Sequence, residues 1–122
     1  LRSMLKLARL YLDQRKSEQA ESIIGAAMKH VDTPLGPVAE FRYQLALAYM
    51  QEGKQKEAEK LFDECIGLFK QRHNYGRVAD CFEQQAKLAG SKPQPDQVAK
   101  YRQLSLKYPY PKDIFLATLL RA

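Results

Sequence analysis

The sequence lacks the residue patterns on which most enzyme active sites depend. It has no glycine-rich loop of the kind that cradles phosphate, and no His-x-x-x-His or Cys-x-x-Cys spacing. Its two histidines, His30 and His73, fall at the C-terminal ends of predicted helices, where a hydrogen-bonding or positive side chain suits the last carbonyl groups. We therefore expect no enzymatic activity, no cofactor and no metal site in this chain.

Long hydrophobic runs are also missing. The longest, residues 45–50 and 114–120, fall well short of the roughly 20 residues that a helix needs to cross a bilayer. No basic segment followed by an apolar one opens the chain, so neither a signal peptide nor a membrane anchor is predicted. The first residue is Leu1 rather than methionine, which favours a piece of a longer or processed protein.

Cysteine is scarce. The only two, Cys65 and Cys81, lie on apolar faces of predicted helices, where cysteine packs as a small hydrophobic residue. Buried reduced thiols are the expected state, and they favour a cytoplasmic location. A disulfide between them is compatible with their neighbouring helices but is not required.

The charge is biased towards basic residues. Twenty Lys and Arg against 14 Asp and Glu give a net charge of +6 and a pI of about 9.4, which invites a nucleic-acid interpretation. The basic residues are dispersed, however, and residues 54–60 interleave them with acids, as solvated helix faces do. We expect nucleic acid to be bound only through a domain absent from this chain.

Helical periodicity is clearest between residues 39 and 70. Gly53 lies in a short polar break, where a left-handed residue is needed to end a helix. The stretch therefore predicts two helices joined by a tight turn. Apolar residues recur at spacings of three and four on both sides of the break: Leu45, Tyr49, Ala58, Leu61, Phe62, Cys65, Ile66 and Phe69.

This hairpin resembles the tetratricopeptide repeat, a helix–turn–helix unit with a basic period of about 34 residues. Arg42 departs from the large apolar residue of position 4 when Ala39 is counted as position 1. Six other consensus positions are filled by Leu45, Ala46, Tyr49, Ala58, Phe62 and Cys65. Aligning Leu7 with Leu45 gives a first unit with Met4, Leu7, Ala8, Tyr11, Ala20, Ile24 and Ala27. Aligning Phe82 with Arg42 gives a degenerate third unit with Phe82, Gln85, Ala86 and Ala89.

The resemblance implies an all-α fold, a right-handed solenoid of about three helical hairpins in a single domain. Its units are about 1–34, 39–72 and 79–112, and a C-terminal helix follows over 112–121. We predict helices over about 3–14 and 17–30 in the first unit, with Ser17 as an N-cap. In the third unit, residues 73–76 are predicted as the preceding loop, and Asp96 as the N-cap of a helix over 97–107.

The predicted C-terminal helix is apolar on more than one side. It carries Ile114, Phe115, Leu119 and Leu120. Because the end repeats of a solenoid need a polar outer face, this helix either packs across the third hairpin or covers a second copy of the protein. Self-association as a homodimer through these four residues is therefore an alternative function.

The resemblance also implies a ligand surface on the first helix of each unit. In the family, positions 2, 5, 9, 12 and 13 line the concave side of the solenoid. A mixture of apolar and charged side chains there suits an extended or helical peptide. The alternative for Leu5 and Leu47 is that they complete the core between repeats. The candidate peptide groove consists of Leu5, Arg9, Leu12, Glu40, Tyr43, Leu47, Met50, Glu83 and Lys87.

Taken together, these features predict a non-enzymatic scaffold that binds a protein or peptide ligand. Repeats longer than the basic period of the family resemble those of bacterial peptide-sensing regulators. The resemblance implies that this chain is the sensor or adaptor segment of a larger bacterial regulator.

Overall fold

The computed structural model describes residues 2–29, 36–88 and 92–109. Within these ranges the protein is all-α, as predicted, and contains no β-strand. Its six helices are α1 (Arg2–Asp13), α2 (Ser17–Met28), α3 (Gly36–Gln51), α4 (Gln55–Gln71), α5 (Tyr75–Ala86) and α6 (Pro95–Lys107).

The helices form three successive hairpins. α1 packs on α2, α3 on α4, and α5 on α6, and the hairpins are joined by contacts of α2 with α3 and of α4 with α5. α1 also contacts α3, so that the first helices of neighbouring hairpins lie side by side. Four alanines at equivalent positions are fully buried, Ala8, Ala20, Ala46 and Ala58. Small side chains at these positions let the helices of each hairpin approach closely.

Aromatic and aliphatic side chains of the second hairpin fill the centre of the core. Tyr49, Phe62 and Phe69 are among the largest fully buried side chains. The Tyr43 ring meets the Phe62 and Phe69 rings edge-on, with centroid separations of 5.9 and 6.3 Å. Arg42, the departure from the repeat pattern, extends to α4, where its Nη1 lies 2.8 Å from Glu64 Oε2.

Three of the connections between helices are the same tight turn. Each has one residue with positive φ, Arg15 (59°), Gly53 (80°) or His73 (57°). The amide of the next residue donates to the carbonyl five residues earlier, as from Lys54 to Tyr49 at 2.9 Å. This is the Schellman arrangement, which satisfies carbonyl groups at the end of a helix. The prediction for Gly53 is confirmed, and the other two turns achieve the same geometry without glycine.

The predicted loop over residues 73–76 was wrong, because α5 begins at Tyr75. Asn74 is its N-cap, and its side chain accepts a hydrogen bond from the Arg77 amide at 3.4 Å. Gly76 had suggested a loop, but it lies inside the helix. A Cβ atom there would lie 3.1 Å from Ser105 Oγ, so this glycine permits the close approach of α5 and α6.

Two predicted N-caps were also wrong. Ser17 is the first residue of α2, after an N-cap at Lys16, and its hydroxyl donates to the Glu52 carboxylate instead of capping its own helix. Asp96 lies in the first turn of α6, because Pro95 already occupies the first position, where its fixed φ favours helix initiation.

Several sequence predictions concern residues outside the described ranges. The predicted C-terminal helix over 112–121, with Ile114, Phe115, Leu119 and Leu120, is one, and His30 is another. Among the helices that the structure does describe, none is both long and apolar enough to cross a membrane.

Candidate functional site

The candidate groove residues lie on α1, α3 and α5, the first helices of the three hairpins, except for Lys87, which directly follows α5. α1 and α3 are in contact, and the Arg9 guanidinium lies over the Phe41 ring at 5.8 Å from its centroid. α3 and α5 are joined by Arg77, whose guanidinium lies over the Tyr43 ring at 4.5 Å. The structure therefore brings the three predicted helices into one row.

Within that row, the residues at repeat position 5 do not share one environment. Leu5 and Tyr43 are 7% and 4% exposed, so both side chains belong to the core. The side chain of Glu83, at the same position of the third hairpin, is 45% exposed. Leu5 thus takes the packing role that was the alternative to groove lining, and Tyr43 does the same.

The described residues at positions 9 and 12 all reach the surface. Arg9 and Lys87 are exposed, and Leu12, Leu47 and Met50 are half-buried. Since half-buried apolar side chains keep part of their area in water, these three can still contact a ligand. These five residues are the part of the predicted groove whose side chains are accessible and not acidic.

Arg77, which the sequence analysis did not single out, is the centre of a charged network. Its Nε lies 2.8 Å from Glu40 Oε2, and its Nη2 contacts the other oxygen of the same carboxylate. Its Nη1 lies 2.8 Å from Asp80 Oδ2. Burial opposes the charged form of Arg77, but hydrogen bonds and charge from Glu40 and Asp80 outweigh it and raise the pKa. The sequence contained one sign of the acidic partners in this network, because an acidic residue follows the same Val-Ala pair in two units, as Glu40 and as Asp80.

Arg102 extends the network to α6. It contacts Asp80 at 2.6 Å and Glu83 at 2.9 Å, and its Nη1 donates to the Gly76 carbonyl at 3.2 Å. Asp80 and Glu83 are therefore partners of arginines, as Glu40 is. Three acidic groups on the first-helix row are thus paired within the protein, although they share two arginines.

The two cysteines are fully buried and free, so they form no disulfide with each other. Burial raises the pKa of the Cys65 thiol to about 12 and raises that of Cys81 as well. Both thiols are thus protonated at neutral pH and unsuited to nucleophilic chemistry. No group of three or more potential metal ligands is present in the ranges that the structure covers.

Successive helical hairpins, with small residues where their two helices cross, define a helical-repeat protein. A family model for the tetratricopeptide repeat matches residues 39–72. The prediction of a tetratricopeptide repeat in this hairpin is thereby confirmed. Repeats of this family are typically non-enzymatic scaffolds for protein–protein interaction. Comparison with curated proteins and with solved structures gave no match.

Proposed function

We propose that this chain is a scaffold that binds a peptide segment of another protein along α1, α3 and α5. The observation that carries the proposal is the row of half-buried apolar side chains, Leu12, Leu47 and Met50, on adjacent first helices of a tetratricopeptide-type fold. Stacked repeats present equivalent positions in register, which suits an extended ligand.

The charges beside these residues indicate what kind of peptide would bind. Arg9 and Lys87 are exposed and have no ion-pair partner among the residues described, whereas Glu40, Asp80 and Glu83 are paired with two arginines, Arg77 and Arg102. The charged groove residues that are free to pair with a ligand are therefore the two cations. A ligand with apolar side chains flanked by acidic ones complements this surface.

The test begins with peptides selected from a random display library on the folded chain. We expect the selected peptides to combine apolar and acidic residues, and their affinity to fall as the salt concentration rises. Replacing Leu47 and Met50 together by alanine should weaken binding at least about tenfold, since centrally placed contacts carry most of the affinity. Fluorescence anisotropy of a labelled peptide gives the dissociation constants.

A matched pair on the opposite side of the hairpin serves as the control. Glu59 and Lys60 are exposed on α4, and their joint replacement by alanine should leave the affinity unchanged. Circular dichroism checks that both double variants are folded. The groove would be refuted if both double variants lost the same affinity for the peptide. It would also be refuted if the variant with alanine at Leu47 and Met50 bound the peptide as tightly as the wild type.

We further infer that the scaffold is the sensor or adaptor segment of a larger bacterial regulator. The spacing between units supports this inference, because Leu7 to Leu45 and Arg42 to Phe82 both exceed the basic period of about 34 residues. In the complete parent protein, replacing Leu47 and Met50 together by alanine should abolish the response to the selected peptide and leave the basal output unchanged. An undiminished response would contradict the sensor role.

Homodimerisation through Ile114, Phe115, Leu119 and Leu120 remains the competing proposal. It is supported by the apolar character of that segment alone. Sedimentation equilibrium tests it: a monomer at high micromolar concentration would refute homodimerisation, and a dimer that dissociates when Leu119 is replaced by aspartate would support it.

A further inference from the structure

Four aromatic side chains form a continuous row through the third hairpin. The Phe82 ring stacks on Tyr101 with a centroid separation of 6.0 Å, and Tyr101 stacks on Tyr75 at 6.1 Å. The Tyr75 ring lies 6.5 Å from that of Tyr108. Tyr101 is buried, whereas Tyr108 is 53% exposed. The row therefore begins inside the hairpin and ends in an aromatic ring that solvent can reach.

Three lysines surround the same row. The Nζ atoms of Lys70 and Lys100 lie 5.4 and 5.3 Å from the centroid of the Tyr101 ring, and Lys107 Nζ lies 5.4 Å from that of Tyr108. All three lysines are exposed. Contact with a ring restrains a long side chain, so these ammonium groups have less freedom to lose when they bind an anion. We call these three lysines with the two tyrosines the lysine–tyrosine edge.

No described acid forms an ion pair with the three lysines. Glu64 of α4 pairs with Arg42, and Asp80 and Glu83 of α5 pair with Arg102. The one acidic residue of α6 lies in its first turn, at the end of the helix away from the exposed tyrosine. The lysines of the edge are therefore free to pair with an anionic ligand.

Helix ends account for only part of this arrangement. Lys70 and Lys107 lie in the last turns of α4 and α6, where a positive side chain is favoured by the helix dipole. Lys100 lies in the middle of α6, so its position has no such explanation. Along the sequence these lysines are dispersed, which argued against nucleic acid binding by this chain. Folding brings them to one row of rings.

We propose that the lysine–tyrosine edge binds single-stranded nucleic acid, with phosphates on the three lysines and one base stacked on Tyr108. Cations beside an exposed aromatic ring are the chemistry of single-strand binding surfaces, because every base has a π-face and every linkage a negative phosphate. A duplex offers phosphates, but its bases are stacked on one another and cannot reach Tyr108. An acidic polypeptide offers charge without bases.

This site is separate from the proposed peptide surface. Leu12, Leu47 and Met50 lie on α1 and α3, whereas the lysines of the edge lie on α4 and α6. The two proposals therefore stand or fall independently.

A salt titration on the full chain provides the first test. Its probe is a fluorescently labelled oligothymidylate of about 12 nucleotides, within the site sizes of single-strand binding surfaces. We expect binding at low salt, with a slope of log affinity against log salt of about −2, since each phosphate contact on a single strand contributes about −0.7. The duplex formed with oligoadenylate should bind at least about fivefold more weakly, because it forfeits base stacking. Absence of binding at low salt, or a duplex that binds as tightly, would overturn the proposal.

The lysines are tested against a pair with the same charge. Replacing Lys70 and Lys100 together by glutamine should weaken binding and make the salt slope shallower by about 1.4. Lys56 and Lys60 are exposed on α4 between acidic residues, and their joint replacement by glutamine removes as much charge. That control should keep the wild-type slope. Equal slopes for the two double variants would show that only net charge matters, and the edge would be wrong.

Tyr108 is tested by its ring. Tyr108→Leu keeps an apolar side chain beside Tyr75 but removes the stacking surface, and we expect about tenfold weaker binding of the oligothymidylate. Tyr108→Phe should bind like the wild type. Circular dichroism checks the fold of both variants. Undiminished binding by Tyr108→Leu would contradict the stacked base.

An abasic oligonucleotide of the same length tests stacking on the wild-type chain, so this measurement stands even if Tyr108→Leu does not fold. It should bind about tenfold more weakly than the oligothymidylate, and equal binding would overturn the proposal.

Two competition measurements identify the occupant. Polyglutamate at the same concentration of charge should not displace the oligothymidylate; displacement would assign the edge to acidic protein segments and overturn the proposal. Replacing Leu47 and Met50 together by alanine should leave oligonucleotide affinity unchanged. A loss there would place the oligonucleotide on the peptide surface and would equally count against the edge. Failure of the peptide library selection would leave all of these results unaffected.

Discussion

Arg15 and His73 adopt the left-handed backbone that glycine takes at Gly53. A side chain with a Cβ atom is strained there by roughly 1 kcal/mol relative to the right-handed region. Both residues nonetheless complete the hydrogen bonds that end a helix, since Lys16 donates to the Tyr11 carbonyl at 2.8 Å and Asn74 to the Phe69 carbonyl at 2.9 Å. The turn geometry is therefore imposed by helix packing rather than by the residue at its tip.

Replacing Arg15 by glycine should raise the free energy of unfolding by about 0.5 kcal/mol. Relief of the backbone strain outweighs the greater flexibility that glycine gives to the unfolded chain. Urea unfolding measures the change. The same replacement at Lys16, where φ is −99°, should destabilise instead, and equal losses at both positions would contradict the argument.

Sequence reasoning identified the left-handed residue in one of these three turns and not in the other two, for a physical reason. Gly53 is recognisable because glycine has few other reasons to stand between two helical patterns. Arg15 and His73 carry no such mark, and Gly76, which did look like a break, serves close helix packing instead. Composition indicates where a backbone is free to turn, and tertiary contacts determine where it does.

Arg77 is the residue that connects three of the helices. It lies on α5, pairs with Glu40 on α3, and shares Asp80 with Arg102 of α6. Its guanidinium also stacks on Tyr43. The sequence predicted which helices neighbour one another from their spacing, but the partners of a long side chain depend on three-dimensional distances that no periodicity contains.

Replacing Arg77 by alanine should lower the free energy of unfolding by about 1–2 kcal/mol. The loss combines the cation–π contact with an unpaired Glu40 carboxylate that is largely buried. Arg77→Lys should recover part of it, because lysine keeps the charge but not the two-pronged geometry. Arg102→Ala provides the comparison, and we expect a smaller loss there because Arg102 is more exposed. Urea unfolding in which Arg77→Ala matches the wild type would contradict this role.

For the whole molecule, the buried titratable groups make stability depend on alkaline pH. Burial, together with the charge of Asp80, raises the pKa of Tyr43 from 10.0 to about 12, and burial raises the pKa of Cys65 from 9.0 to about 12. Below pH 9 these groups hold their protons in both the folded and the unfolded state. Above it, the unfolded chain releases protons that the folded chain retains, so unfolding becomes easier.

We therefore expect the free energy of unfolding to fall between pH 9 and pH 12. Tyr43→Phe and Cys65→Ala should each flatten this fall, since each removes one group whose proton release favours unfolding. Urea titrations at fixed pH values measure the slope. A wild-type slope of zero over this interval, or slopes unaffected by both substitutions, would disprove the assignment.

The three identical tight turns also bear on how the chain acquires its structure. Two of them, at Gly53 and His73, link α3, α4 and α5 by three residues each, whereas residues 29–35 and 87–94 form the longer connections on either side. Contacts between segments close in sequence form with the least loss of chain entropy. The portion that folds first should accordingly be α3–α5, one and a half repeats, with α1–α2 and α6 joining it afterwards. The folding unit and the repeat unit of this protein would then be out of phase by one helix.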